Sequence, residues 1–209
     1  MFNKILVLAP HTDDGEIGCG GTIVKLIEEK KDVYYAAFSI AEDSVPHGFP
    51  PNQLEIEVKK ATTVLGIPER NLIIRKFKVR KFQEFRQEIL EDLVKINQEV
   101  DPDLIFMPSS YDIHQDHQVI ANEGLRAFKR KTIFGYEEPW NNIVFRTIAF
   151  SILEERHIQQ KIAALACYET QRHRAYLTPQ FLKSLAIARG TQIQEKYAES
   201  FEVIRYIYK

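Results

Sequence analysis

Two short apolar runs, each followed directly by charged residues, constrain the fold more than any other feature of the chain. Residues 5–8 are closed by Pro10 and followed by the stretch HTDD, and residues 104–107 are closed by Pro108 and followed by SSYDIHQDH. An apolar helical pattern comes after each charged stretch. Buried runs of this length are typical of strands covered on both faces. The repeated order of strand, charged loop and helix predicts an α/β fold, a Rossmann-like doubly wound and mainly parallel sheet with helices on both faces.

The rest of the chain supplies the other elements of such a sheet. Further strands are predicted over residues 33–40, 71–77, 132–136, 147–152 and 203–207. Helices are predicted over residues 20–30, 54–65, 158–166 and 181–188, with another ending near residue 100. Residues 41–52 are rich in Pro and Gly and form a candidate lid. With the strand order 3-2-1-4-5, the two charged corners lie on either side of the switch point, where doubly wound sheets bind ligands.

Composition narrows the function classes. The chain has 209 residues, 44% of them hydrophobic and 27% charged, with a net charge of −1. We expect one domain over residues 1–209. The charge balance argues against general nucleic-acid binding, and no apolar run reaches the roughly 20 residues of a membrane span. Residues 1–4 leave no room for a signal peptide before the first strand, and two distant cysteines make no disulfide framework. A cytoplasmic enzyme or binding protein is expected.

The residue types in the two corners are those that bind metal ions. His11 and Asp14, three residues apart, can share one metal ion and leave Asp13 free. His114 and His117, also three apart at a helix start, lie on one face and can point at one centre. If the two corners meet in space, the sequence predicts a metal site at the carboxyl edge of the sheet.

The two motifs together resemble those of the LmbE-like, or PIG-L, family of zinc-dependent N-deacetylases. The first is Pro-His-x-Asp-Asp at residues 10–14, and the second is His-x-Asp-His at residues 114–117. Further matches lie at residues 16–21, 164–171 and 197–201, so the resemblance covers nearly the whole chain.

The resemblance implies specific roles and a specific reaction. His11, Asp14 and His117 correspond to the metal ligands, and Asp13 corresponds to the general base. His114 corresponds to the group that stabilises the anion formed in the reaction, held by Asp116. The implied activity is removal of an acetyl group from an N-acetylated amino sugar with one Zn²⁺ per chain, although other divalent metals fit the same ligands. The sequence leaves the oligomeric state open.

The substrate is less well defined than the chemistry. Sugar deacetylases of this family that act on thiol-precursor glycosides commonly carry an Arg at the start of the second helix, where this chain reads LEIE at residues 54–57. Segments 140–142 and 173–177 look closest to members associated with surface-polysaccharide and sugar-nucleotide pathways. In the basic stretch 76–86, we expect Arg80 or Arg86 to bind an anionic part of the substrate. Trp140 is either an apolar wall of the pocket or ordinary packing.

Two other functions compete with this interpretation. Gly15, Gly18, Gly20 and Gly21 loosely match a dinucleotide-binding loop, which would make the chain a Rossmann-type nucleotide-binding protein without hydrolase activity. Adjacent carboxylates at residues 13 and 14 would, however, repel a pyrophosphate. A structural metal site would need a fourth protein ligand, for which Cys19 is the candidate.

Overall fold

A seven-stranded sheet forms the centre of the fold in a computed structural model that describes residues 2–208. The strands, in chain order, are β1 (Lys4–Ala9), β2 (Asp32–Ala37), β3 (Leu72–Ile74), β4 (Leu104–Pro108), β5 (Thr132–Tyr136), β6 (Ala149–Leu153) and β7 (Tyr197–Arg205). Their order across the sheet is β3-β2-β1-β4-β5-β7-β6. The first five pair in parallel, and β7 pairs antiparallel with both β5 and β6. The predicted fold class and the order 3-2-1-4-5 are confirmed.

Helices cover both faces of this sheet. They are α1 (Asp14–Glu28), α2 (Gln53–Leu65), α3 (Arg86–Val100), α4 (Gln115–Ala127), α5 (Glu155–Leu165) and α6 (Pro179–Thr191). Successive β1 residues point to opposite faces, so Ile5 and Val7 pack with α1, α2, α5 and α6, whereas Leu6 and Leu8 pack with α3 and α4. None of the helices within residues 2–208 combines the length and the apolar character needed to cross a membrane.

Helix α1 begins six residues earlier than the sequence pattern predicted, because its glycines allow it to pack closely on the sheet. A Cβ atom at Gly15 would lie 2.5 Å from Cε2 of Tyr35, and one at Gly18 would lie 2.4 Å from Cδ2 of Tyr136. Cys19 interrupts the helix with φ −144° and ψ 22°. The glycines therefore bring α1 against β2 and β5, which gives them a packing role in place of the phosphate-binding role considered above.

Strand β7 also begins earlier than predicted, since buried acids interrupt its apolar pattern. Glu199 accepts hydrogen bonds from the backbone N–H of Thr22 at 2.7 Å and from Nζ of Lys161 at 2.6 Å. Glu202 accepts from Oγ of Ser109 at 2.8 Å. These partners make buried carboxylates tolerable in a central strand, and local periodicity does not reveal them.

We expect Gly18→Ala to destabilise the fold by about 1–3 kcal/mol, because the added methyl group overlaps the Tyr136 ring in a packed core. Gly20→Ala is the matched control in the same helix, since its Cβ would meet only the Lys161 side chain, at 3.0 Å. The greater helix propensity of Ala should offset that contact. Urea denaturation measures both variants. Equal midpoints for Gly18→Ala and the unsubstituted protein would contradict the packing role.

Candidate metal centre

The carboxyl ends of β1 and β4 bring the two charged corners together. The strands pair in parallel, with Ile5 opposite Leu104 and Val7 opposite Phe106. The chain leaves both strands at the same edge of the sheet. Residues 11–14 then lead into α1 and residues 112–117 lead into α4, so their side chains enclose one site.

Three side-chain atoms form a nearly equilateral triangle at this edge. Nδ1 of His11 is 3.2 Å from Oδ2 of Asp14, Nε2 of His117 is 3.3 Å from the same oxygen, and the two nitrogens are 3.3 Å apart. A tetrahedral zinc ion with bonds of about 2.0–2.1 Å separates its ligand atoms by about 3.3–3.4 Å. The chain thus presents three donor atoms, from two imidazoles and one carboxylate, that are spaced like one face of a metal tetrahedron.

His114 and Glu138 also lie close enough to be considered as ligands. The Nδ1 atom of His114 already accepts a hydrogen bond from the backbone N–H of Asp116 at 3.2 Å. Oε2 of Glu138 is 3.8 Å from Nδ1 of His117, the ring nitrogen that does not belong to the triangle. The mutual distances of 3.2–3.3 Å make His11, Asp14 and His117 our candidate ligand set.

In both histidines of the triangle, the ring nitrogen that is not part of the triangle contacts a buried carboxylate. Oδ2 of Asp116 lies 3.0 Å from Nε2 of His11, and Oδ2 of Asp112 lies 2.8 Å from Nδ1 of His117. Such partners fix the orientation of a ligand imidazole and increase its basicity. Asp116 contacts His114 only through its backbone N–H, so the predicted pairing of its carboxylate with the His114 ring is not present. Sequence reasoning missed Asp112, whose signal is its position five residues before His117 at the helix start.

The electrostatics of the triangle suit a cation. Burial alone would lower the pKa of His11, but the charge of Asp14 and the hydrogen bond to Asp116 raise it to about 9. Burial would raise the pKa of Asp14, yet His117 and His11 hold it well below its usual range. The negative charge of Asp14 thus stabilises positive charge on the His11 imidazole.

Asp13 is a half-buried residue beside the triangle. It occupies the N-cap position of α1, but its side chain makes no capping hydrogen bond. Burial and the charge of Asp14 raise the pKa of Asp13 to about 6. It lines the same cavity as the triangle, so it is placed to exchange a proton with a bound molecule.

The His114 ring lies beside the triangle in its neutral form. Burial together with His117 and His11 lowers the pKa of His114 to about 4. Because Nδ1 accepts from Asp116, the proton of the neutral ring resides on Nε2. The geometry therefore favours a neutral N–H donor at His114.

The triangle, Asp13 and His114 line a cavity of about 540 Å³. Trp140 lines it as well and stacks on Tyr176, with ring centroids 3.7 Å apart and an interplanar angle of 16°. Arg80 lines the cavity from the connection between β3 and α3. Arg86 does not: its Nε donates to the buried Glu123 of α4, and it faces a different surface.

Comparison with known proteins agrees with this arrangement. The family model described as PIG-L, GlcNAc-PI de-N-acetylase, matches residues 6–128, which contain both corners. The chain belongs to the PIG-L family. PIG-L proteins are metal-dependent, and the His/Asp cluster of this member fits one metal ion. The alternative of a nucleotide-binding protein is not favoured.

Its relatives include several deacetylases. The chain is 23% identical to the diacetylchitobiose deacetylase of Thermococcus kodakarensis over 98% of this chain and 84% of that protein. It is 28% identical to a probable N-acetyl-alpha-D-glucosaminyl L-malate deacetylase 2 of Bacillus anthracis, over 54% of each chain.

Solved structures share the fold at low identity. An N,N'-diacetylchitobiose deacetylase from Pyrococcus horikoshii superposes with a TM-score of 0.82 at 20% identity, over 97% of this chain and 84% of that chain. The 4-carboxy-2-hydroxymuconate hydratase GalB from Pseudomonas putida superposes with a TM-score of 0.80 at 17% identity, over 99% and 98% of the two chains. One fold thus carries both reactions, so function has to be argued from the site.

The triangle predicts which single substitutions remove the metal. His11→Ala, Asp14→Ala and His117→Ala each delete a ligand and should leave zinc well below one equivalent after dialysis. Asp13→Asn and His114→Ala should keep close to one equivalent, since neither contributes an atom to the triangle. Elemental analysis of the purified variants measures this. Loss of zinc from His114→Ala equal to that from His117→Ala would make His114 a ligand.

Asp116→Asn tests the orienting role separately. We expect zinc affinity to fall by about 10–100-fold, the usual effect of removing a carboxylate that holds a ligand imidazole. Competition with a chromophoric chelator gives the zinc affinity. Asp13→Asn, which removes the same charge from a residue outside the triangle, is the control. Unchanged affinity in Asp116→Asn would show that His11 needs no carboxylate partner.

Proposed function

We propose that this PIG-L protein is a zinc-dependent N-deacetylase that hydrolyses the acetamide of an N-acetylated amino sugar. The triangle of His11, Asp14 and His117, with the uncommitted carboxylate of Asp13 beside it, carries this proposal. The deacetylase relatives support the substrate class. The continuous sheet supports a single deacetylase domain over residues 1–209.

His11, Asp14 and His117 would hold the metal ion, which supplies Lewis-acid polarisation of the amide carbonyl and acidifies a water molecule. Two imidazoles and one carboxylate are ligands that zinc commonly takes, which supports zinc as the proposed metal. Asp112 and Asp116 keep the two imidazoles oriented throughout the reaction.

Asp13 acts as the general base. Its carboxylate accepts a proton from the attacking water, for which a pKa of about 6 is well placed near neutral pH. Because Asp13 lines the cavity, the same carboxyl group is a candidate to return that proton to the leaving amine.

His114 stabilises the negative charge that develops on the carbonyl oxygen. Its Nε2–H is the free donor of the ring, because Nδ1 is fixed by the backbone of Asp116. A donor held in place before the reaction is effective, since it needs no reorientation as charge develops. Trp140, stacked on Tyr176, offers an aromatic wall for the sugar ring.

Substitution of the base and of the donor should separate binding from chemistry. Asp13→Asn should lower kcat by about 10²–10⁴-fold, because the amide cannot accept the proton. His114→Ala should lower kcat by about 10²–10³-fold, the usual loss for one oxyanion donor. Acetate release from N-acetylglucosamine derivatives by zinc-loaded protein is the assay.

Arg86→Ala is the control for this series, because Arg86 lies away from the cavity, and it should match the unsubstituted protein. Failure of the zinc-loaded protein to release acetate from any N-acetylated amino sugar would refute the proposed function. Full activity in Asp13→Asn would refute the assigned base.

A further inference from the structure

Arg80 differs from the other basic residues of segment 76–86 because no carboxylate within residues 2–208 forms an ion pair with its guanidinium. The other four have acidic partners: Lys76 with Glu55, Lys78 with Asp43, Lys81 with Glu84 and Arg86 with Glu123. The Arg80 guanidinium instead donates to Oγ of Ser44 at 3.1 Å and lines the catalytic cavity.

Arg174 repeats this pattern on the connection between α5 and α6. Its neighbour Arg172 lies 3.7 Å from a carboxylate oxygen of Glu169. Arg174 lines the cavity, and its Nε donates to Oε1 of Gln171 at 3.3 Å. In the described part of the chain, its guanidinium also has no carboxylate partner. Two connections that are distant in sequence thus each direct one unneutralised guanidinium to the same cavity.

The backbone of Arg80 is held in a strained conformation by the metal-site network. Its φ of +64° lies in the left-handed region that non-glycine residues rarely adopt. The Arg80 N–H donates to Oδ2 of Asp116 at 2.6 Å, and the same oxygen lies 3.0 Å from Nε2 of His11. The position of Arg80 is therefore fixed relative to a metal ligand. Strain maintained in this way is typical of functional sites.

Building on the proposed deacetylase function, we propose that the substrate is an N-acetylated amino sugar carrying a phosphate or carboxylate group, which Arg80 and Arg174 bind. A guanidinium presents a planar fork of donors that matches the oxygens of either anion. Of the three acids that line the cavity, Asp14 and Glu138 belong to a group that could hold a metal ion, and Asp13 is next to Asp14 in the chain. The anionic group would bind away from them, with the sugar ring on the Trp140 wall and its acetamide at the triangle.

Relative turnover of charged and neutral substrates tests this proposal. N-acetylglucosamine 1-phosphate and a carboxylate-bearing glycoside of N-acetylglucosamine are compared with its neutral methyl glycoside. We expect kcat/KM for at least one anionic substrate to exceed that for the methyl glycoside by about 10–100-fold, the range for hydrogen bonds to charged groups. The anion that shows the preference identifies the group bound.

Arg80→Gly is the diagnostic variant, because it removes the Arg80 side chain and glycine readily adopts the positive φ. The ratio of anionic to neutral kcat/KM should fall towards 1 in Arg80→Gly and should fall in Arg174→Ala. Arg86→Ala and Arg172→Ala are matched controls with paired arginines outside the cavity, and they should keep the ratio. Equal kcat/KM for anionic and neutral substrates, or a preference that survives in both Arg80→Gly and Arg174→Ala, would overturn the proposal.

Binding to zinc-loaded Asp13→Asn separates this proposal from the proposed function. Calorimetric titration should show about 10-fold tighter binding of the preferred anionic sugar than of the methyl glycoside, and the difference should vanish when Arg80→Gly is added. Preferential binding without acetate release from any substrate would contradict deacetylation and leave the anion site standing. Acetate release without any preference for the anionic sugar, in binding or in turnover, would support deacetylation and contradict the anion site.

Discussion

The hydrogen bond between Oδ2 of Asp116 and Nε2 of His11 is the contact on which the rest of the site depends. Its two residues come from the corners after β4 and β1, which are 105 residues apart in the chain, and they meet at 3.0 Å. The same oxygen accepts the backbone N–H of Arg80, so one buried carboxylate fixes a metal ligand and a wall of the cavity. Burial makes this contact effective, because no water competes for the carboxylate.

The sheet makes that contact available. Parallel pairing of β1 with β4 places both corners at one edge, and the glycines of α1 let the helix follow its strand with almost no connection. Asp14 thereby becomes the first residue of α1, and its carboxylate accepts the backbone N–H of His11 at 2.7 Å. The adjacent Asp13 stays outside this network. The start of α1 at Asp14 thus explains why Asp13 and Asp14 have different surroundings.

Local patterns predicted the parts of the molecule that depend on local chemistry. The apolar runs before His11 and before His114 identified the central strands, and two motifs with fixed spacing supplied the candidate metal-site residues. The pairing of Asp116 with His11 was not predictable, because three residues on one helix turn suggested a partner within the motif. Arg86 was considered as a ligand of the substrate's anionic group, but its side chain pairs with Glu123 on another helix. Charge spacing alone cannot distinguish an arginine neutralised by a distant acid from one that faces a cavity.

The account rests on a site with two imidazoles, one carboxylate and no sulfur, and zinc K-edge X-ray absorption measures that composition most directly. For the zinc-loaded protein, we predict a first shell of nitrogen and oxygen at about 2.0–2.1 Å, with multiple scattering from two imidazoles and one ligand that solvent can supply. A sulfur scatterer at about 2.3 Å would bring Cys19 into the site and indicate a closed structural centre. Either that sulfur signal or scattering from three imidazoles would contradict the triangle of His11, Asp14 and His117.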